Sequence, residues 1–357
     1  MDFKEHWKKC KTLINNVVEI ITEPWKVCVI DHLLENDSIL QAVRREFYEL
    51  EWNRRRLDLY EFHQSLDLQH INSEQINSIY HLLKCEVMPW VAQVMEVELN
   101  DVSATCSFYS DTDFLLVHDD REGSRVVAFV LYMSDVDEWE KSWGGNLQLF
   151  GCDEDDQPTK IVNTISPIHN RLVLFPVTTA SHHSVDEVTV KNFSRLSING
   201  WFHFINLDEE IPPYEVPPDI VRGVTSPSIP SEIELNLWIN KNYLGWDNIE
   251  KINAQIESSS EISLVNFFMK DKFAEVLDAL EAVDESSWRW MGPPNRFNYR
   301  YLDESDFPRA VSSFVNLFKS KQMFALMEEY TEINFKVEGA LIRYELQKWT
   351  SGCYMVS

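Results

Sequence analysis

His118-Asp119-Asp120 closes the apolar run Phe114 to Val117. Side chains alternate along a strand, so His118 and Asp120 reach toward one point while Asp119 points away. An imidazole and a carboxylate so placed have the geometry of two metal ligands. A third must come from a strand far along the chain but adjacent in space, and the strand run Arg171 to Val177 is followed by His182 and His183. Neighbouring residues face opposite ways, so only one of this pair can point inward. Two histidines and one carboxylate cover one face of an octahedral ferrous ion and leave three positions open for chemistry. An H-x-D triplet by itself also fits an ordinary surface turn after a strand, so the weight rests on what surrounds it. His169 and His203 read as turn or core-edge histidines.

Arg195 lies twelve residues after His183 (195 − 183), a hairpin's distance, and opens the alternating run RLSINGWFHF. Arg195 and Ser197 share one face of that strand, Leu196 and Ile198 the other. A guanidinium on the inside of an apolar barrel is costly unless paired, which implies a carboxylate partner, either a protein aspartate or a bound dicarboxylic acid. On the run Val126 to Met133, the face of Val126, Ala128 and Val130 ends in Tyr132, whose hydroxyl can donate to the same carboxylate. Taken alone, Tyr132 reads more readily as an ordinary aromatic core residue than as a ligand-binding one.

These side chains need a scaffold. From about Trp25 to Glu98 the apolar residues fall at helical spacing, as in Ile39, Val43, Phe47 and Leu50, then Ile76, Ile79, Leu82, Leu83 and Cys85. From about Ala104 to Phe204 the pattern changes to short β-rich runs separated by Gly, Asp and Asn clusters, which implies a sandwich or barrel. The proline-rich stretch from Glu210 to Ser231 reads as an interdomain linker. Beyond it, helical spacing returns (Phe273, Val276, Leu277, Leu280; Val311, Phe314, Val315, Phe318, Met323, Leu326) and gives way to the strand-like ALIRYELQKW and CYMVS. Placing Leu116-Val117 on Met355-Val356 makes this a second copy that stops as its sheet begins. The plainer alternative is a helical domain ending in a hairpin.

Composition bounds the function. The 357 residues include 32 Lys and Arg against 58 Asp and Glu, a net charge of −26. Such a surface repels a phosphate backbone and excludes direct nucleic-acid binding, while it favours a basic partner. The length suggests about two domains, and 44% hydrophobic residues suffice for buried cores. Residues 1–25 lack the apolar core and cleavage site of a secretory signal, and apolar stretches of about eight residues fall short of the ~20 that span a bilayer. The expectation is a soluble protein of cytoplasm or nucleus, with no membrane association. Six scattered cysteines without a C-x-x-C pair indicate neither a zinc site nor a disulfide framework.

The set HDD at 118–120, FVLYM at 129–133, WGGNLQLF at 143–150, LVLFPV at 172–177, HHSVDEV at 182–188 and SRLSINGWFH at 194–203 resembles the 2-oxoglutarate and iron-dependent oxygenases. With WMGPPNRF at 290–297, it looks more narrowly like the prolyl 3-hydroxylases that act on a decoding-centre protein of the small ribosomal subunit. The resemblance covers roughly residues 25 to 357. It implies an α+β fold: a catalytic double-stranded β-helix (jelly roll, cupin-like) flanked by helices, followed by a smaller, degenerate copy that binds no iron and here stops partway. On this reading 1–98 is a helical support, 99–209 the catalytic domain, 210–231 the linker and 232–357 the truncated second copy. It also implies His118, Asp120 and His183 as iron ligands, His183 being favoured over His182 by the spacing to its arginine. Arg195 and Tyr132 would hold the far carboxylate of 2-oxoglutarate, with Ser197 as an extra donor. The cofactors implied are Fe(II), with 2-oxoglutarate and O2 as cosubstrates and L-ascorbate as reductant. The partner implied is a basic protein substrate of the ribosomal small subunit; the oligomeric state stays open. The alternatives are an oxygenase with another protein substrate, or a non-catalytic acidic jelly-roll module that binds proteins.

Overall fold

A computed structural model describes residues 3–14, 17–134, 136, 138–205, 233–335 and 342–356. The linker expected at 210–231 lies outside them, as do Ala340 and Leu341 of the late strand-like run. The chain divides into two compact units, Met1–Glu215 with Gly292–Phe297 and Tyr354–Ser357, and Val216–Met291 with Asn298–Cys353.

The large sheet of the first unit has thirteen strands: β1 Leu13–Ile14, β2 Val18–Ile21, β3 Val27–Asp31, β4 Asn53–Arg56, β5 Tyr60–Asp67, β6 Asp101–Tyr109, β7 Phe114–His118, β8 Arg125–Tyr132, β9 Leu147–Cys152, β10 Pro158–Ile165, β11 Arg171–Pro176, β12 His183–Val185 and β13 Arg195–His203. They join in the order β1-β2-β3-β11-β8-β13-β6-β5-β7-β12-β9-β10, with β4 on β5. Neighbours along the path run antiparallel. Strand β5 pairs with both β6 and β7, so the path turns there from a larger sheet to a smaller one of β7, β12, β9 and β10.

Alternation then decides what each face buries. Ala128 and Tyr132 of β8 and Val173 and Phe175 of β11 pack with Leu147, Leu149 and Ile165 of β9 and β10, so the two sheets face each other across this core in a jelly-roll arrangement. The opposite-facing Phe129, Leu131, Leu172, Leu174, Leu196 and Ile198 pack with Leu40, Val43, Phe47, Ile76, Ile79 and Val91. The latter come from helices α2 Asp37–Phe47, α3 Glu74–Leu82 and α4 Met88–Met95, which follow α1 Phe3–Lys8. Leu40, Val43 and Phe47 fall at helical spacing on α2, and Asn36 caps it by accepting from the Ser38 amide.

Two expectations need correction. Residues 1–98 are not helical throughout: they also supply β1 to β5, among them β3 paired to β11. The run Val27-Cys28-Val29-Ile30 is apolar on consecutive residues, because β3 is covered on both faces, and such a run carries no period to distinguish strand from helix. Val126 packs with the helix-side core rather than with Ala128, because pairing between β13 and β8 slips between Phe202↔Val127 and His203↔Arg125. That bulge turns Val126 to the other side.

In the second unit, helices α5 Trp246–Ser259, α6 Lys270–Glu281, α7 Arg309–Phe318 and α8 Lys321–Thr331 accompany an antiparallel sheet of β14 Trp288–Met291, β15 Phe297–Leu302 and β16 Leu346–Lys348. Ile249 and Ile252 of α5 and Met323, Leu326 and Tyr330 of α8 form its core. Of the helical residues marked by periodicity on α6, Val276 is buried while Phe273 and Leu277 are exposed. Among the described residues no helix is long and apolar enough to cross a membrane.

Candidate active site

Strands β7 and β12 pair so that His183 lies directly opposite His118. Directly opposed residues share a face, which puts both imidazoles inside the jelly roll with ring centroids 4.2 Å apart. Asp120 follows β7 in the left-handed conformation, φ +63°, tolerable for aspartate. This turn brings its carboxylate back between the rings, 3.4 Å from His118 Nε2 and 3.3 Å from His183 Nε2. Within this trio the potential ligand atoms all lie within 4.8 Å of one another, and it is the single such histidine, cysteine and acid group among the described residues.

Each histidine is held by its other nitrogen. His118 Nδ1–H donates to the Leu116 carbonyl (2.8 Å) and His183 Nδ1–H to the Ser181 carbonyl (2.9 Å), which leaves both Nε2 lone pairs aimed at the common centre. The edges of Trp25 and Phe175 bracket the His183 ring. Burial opposes charge on Asp120, but the two imidazoles override it and hold the carboxyl well below its usual range. Burial likewise pushes His118 down, and Asp120 more than offsets this, so His118 ends above its usual value. His182 points away: its Nε2 lies 2.9 Å from the Asp156 carbonyl. His169 bonds to Arg44, and His203 lies between Ser103 and Ser124.

Arg195, Ser197 and Tyr132 are brought to the same cavity wall. Arg195 opens β13 opposite Tyr109, and Ser197 lies opposite Ser107 on one side and Tyr132 on the other. Arg195 is 2% exposed; its Nε donates to the Gly145 carbonyl (2.8 Å), and its guanidinium lies 4.7 Å and 5.0 Å from the Tyr109 and Tyr132 rings. Its Nη1 is 3.4 Å from Ser197 Oγ. Among the described residues no carboxylate forms an ion pair with it. Among the described residues, Tyr132 Oη and Ser107 Oγ, both buried, have no partner in hydrogen-bond geometry. Burial outweighs the pull of Arg195 on the Tyr132 phenol and raises it, so it stays protonated and able to donate. A buried cation beside two unmatched hydroxyls is a receptor for a carboxylate, and the set fits the far end of a dicarboxylic acid.

The WGG turn explains how Arg195 is held. Gly144 (φ +72°) and Gly145 (φ +68°) adopt a backbone that side chains resist; a Cβ on Gly144 would fall 1.8 Å from the Glu187 carbonyl oxygen. The same turn presents the Gly145 carbonyl to the guanidinium, and a Cβ on Gly145 would fall 3.0 Å from Arg195 Cδ. Sequence reading passed over Gly145, Ser107 and Tyr109. The GG pair was its one available signal for the turn, whereas Ser107 and Tyr109 are identified by pairing register alone.

The trio and Arg195 line one cavity of about 400 Å³. Residues 104–203 match the family described as the 2OG-Fe(II) oxygenase superfamily, and residues 232–356 match the oxoglutarate and iron-dependent oxygenase degradation C-term family. The chain is similar to prolyl 3-hydroxylase sudestada1 of Drosophila melanogaster, with 33% identity over 352 residues, 95% of this chain and 65% of that protein. It is similar to prolyl 3-hydroxylase OGFOD1 of Mus musculus (35% over 330 residues, 92% of this chain and 59% of that protein) and of Xenopus laevis (34% over 330 residues, 92% and 63%). It therefore spans less than two thirds of the length of these relatives.

Proposed function

From the match of residues 104–203 to the 2OG-Fe(II) oxygenase superfamily, we propose that this chain is a 2-oxoglutarate-dependent prolyl 3-hydroxylase whose substrate is a protein of the small ribosomal subunit, with an effect on translation. One observation carries the reading: a His118–Asp120–His183 trio shares a cavity with a buried arginine that, among the described residues, has no carboxylate partner. The name prolyl 3-hydroxylase borne by its relatives supports the choice of proline.

In this reading His118, Asp120 and His183 hold Fe(II), while Arg195 and Tyr132, aided by Ser197 and Ser107, hold the far carboxylate of 2-oxoglutarate. Iron and 2-oxoglutarate, when bound with O2, supply the oxidising power that places oxygen on a carbon, and ascorbate keeps the iron reduced. The chain's part is positioning. The Leu116 and Ser181 carbonyls fix both imidazole tautomers, the ionised Asp120 offsets the metal's charge, and Trp25 and Phe175 keep water from one side of His183. A charge of −26 suits capture of a basic ribosomal protein by electrostatic steering, in the cytoplasm or nucleus. We further read 232–357 as a degenerate second copy without iron, supported by its helices and short antiparallel sheet.

The test is incubation with the decoding-centre protein of the small subunit, Fe(II), 2-oxoglutarate and ascorbate, followed by mass spectrometry. One added oxygen on a proline, with a matching yield of succinate, supports the assignment; succinate formed with no oxygen on any proline would overturn the choice of substrate.

A further inference from the structure

Three arginines line the catalytic cavity: Arg195 deep inside, and Arg55 and Arg125 nearer its mouth. Arg125 is committed. It pairs with Glu122 at 3.0 Å, stacks 3.6 Å over the Trp201 ring and donates to the Asp120 carbonyl at 3.4 Å. Arg55 is exposed and, among the described residues, forms no ion pair; its one hydrogen bond is a long 3.5 Å contact to Tyr60 Oη.

The backbone that carries Arg55 is nevertheless held firmly. Next to it, Arg54 makes a two-pronged contact with the fully buried Asp113 (2.9 and 2.7 Å), and Asp113 also accepts from the Ser110 amide and hydroxyl. Alternation sends Arg54 and Arg56 to one side, toward Asp113 and Glu61, and Arg55 to the other, opposite Phe62 and toward the cavity. Among the described residues β4 pairs only with β5, so its other edge is open. A positive group anchored at the mouth of a cavity, in a chain with 26 excess negative charges, inverts the local sign where a protein segment must enter.

We propose that Arg55 is a specificity-determining residue that grips an oxygen acceptor on the protein substrate beside the target residue, either a main-chain carbonyl or a side-chain carboxylate. This rests on the prolyl hydroxylase reading. The planar fork of a guanidinium suits both acceptors, and the open edge of β4 lies alongside for an extended segment. Arg55 touches neither the metal trio nor the Arg195 wall.

The experiment compares wild type, Arg55→Gln, Arg55→Lys and Arg55→Glu on a synthetic library of single-proline peptides whose flanking residues are varied among Asp, Asn, Ala and Lys. Hydroxylation is read by mass spectrometry, and 2-oxoglutarate turnover without peptide is measured alongside. Arg55→Gln should raise the peptide KM about tenfold, the scale of one charge-assisted hydrogen bond at a partly exposed site, with kcat, the 2-oxoglutarate KM and peptide-free turnover unchanged. Arg55→Lys should recover part of the loss. If the acceptor is a carboxylate, Asp-flanked peptides lose most and Arg55→Glu shifts preference to Lys-flanked ones; if it is a main-chain carbonyl, all peptides lose alike. Equal peptide KM in all four proteins would overturn the role of Arg55 alone. Product from no peptide with wild type, while 2-oxoglutarate is still consumed, would overturn the prolyl reading and the role of Arg55 with it.

Discussion

Replacing Arg195 by Met separates a ligand-binding arginine from a structural one. The guanidinium is 2% exposed, with a hydrogen bond to the Gly145 carbonyl and no carboxylate partner among the described residues. Without 2-oxoglutarate it is thus a buried cation compensated only by dipoles and two tyrosine faces. Met fills a similar volume, gives up the bonds to the Gly145 carbonyl and to Ser197 Oγ at about 1 kcal/mol each, and removes the cost of burying a charge. The stability of the ligand-free protein should fall by no more than about 2 kcal/mol, or rise. The bound dicarboxylate, by contrast, would meet an apolar wall, and an unmatched buried charge costs about 3–5 kcal/mol. At 1.4 kcal/mol per decade this weakens 2-oxoglutarate by roughly two to three and a half orders of magnitude. Calorimetric titration of 2-oxoglutarate into anaerobic Fe(II)-loaded protein measures the affinity, and urea unfolding of the ligand-free protein measures the stability. Affinity within threefold of wild type would show that another group anchors the carboxylate; a ligand-free loss above about 3 kcal/mol would show that Arg195 is a structural residue.

Three further outcomes follow from the same geometry. Tyr132→Phe removes a hydroxyl that has no hydrogen-bond partner among the described residues, so stability should hold or rise slightly while 2-oxoglutarate binds about tenfold more weakly, read by the same titration. Gly144→Ala forces a side chain into a left-handed turn and onto the Glu187 carbonyl, and should cost at least about 1–3 kcal/mol in urea unfolding, clearly more than Gly123→Ala, which shares the backbone sign but meets nothing within 4 Å. Stability against pH should change sign with metal. In the metal-free protein, Asp120 holds His118 above its ordinary range, so the pairing stabilises fully below the unfolded value and is lost as pH rises through the folded value. Asp120, held low, contributes above the unfolded carboxylate value and is lost only as pH falls through its own depressed value. With metal bound, the proton competes for His118 Nε2, so acidification below the raised metal-free value should progressively weaken metal binding. Melting temperatures at pH 8 and pH 6 should move in opposite directions with and without metal, and parallel movement would count against His118 as a ligand.

Much of the site could be read along single strands. The run FLLVH became β7 with those bounds, the run read from Arg171 to Val177 became β11 one residue shorter, and alternation placed Arg195 and Ser197 opposite in sense to Leu196 and Ile198, as the two cores require. The limits are equally specific. Strand β10 (PTKIVNTI) was not read as one, because exposed Thr159 to Val162 erase its alternation, and β3 hid because both its faces are covered.

What the sequence by itself determined is therefore local: the ligand types, their strand-end placement, and which neighbours share a face, because a period of two follows from backbone geometry alone. The tertiary structure decided everything that depends on which distant strands meet. The register His183↔His118 turned His183 rather than His182 toward Asp120; β6 beside β13 put Tyr109 and Ser107 around Arg195; and the β4–β5 hairpin brought Arg55 to the cavity. Pairing register is set by the sum of burial over whole sheets, and no single run of residues contains that sum.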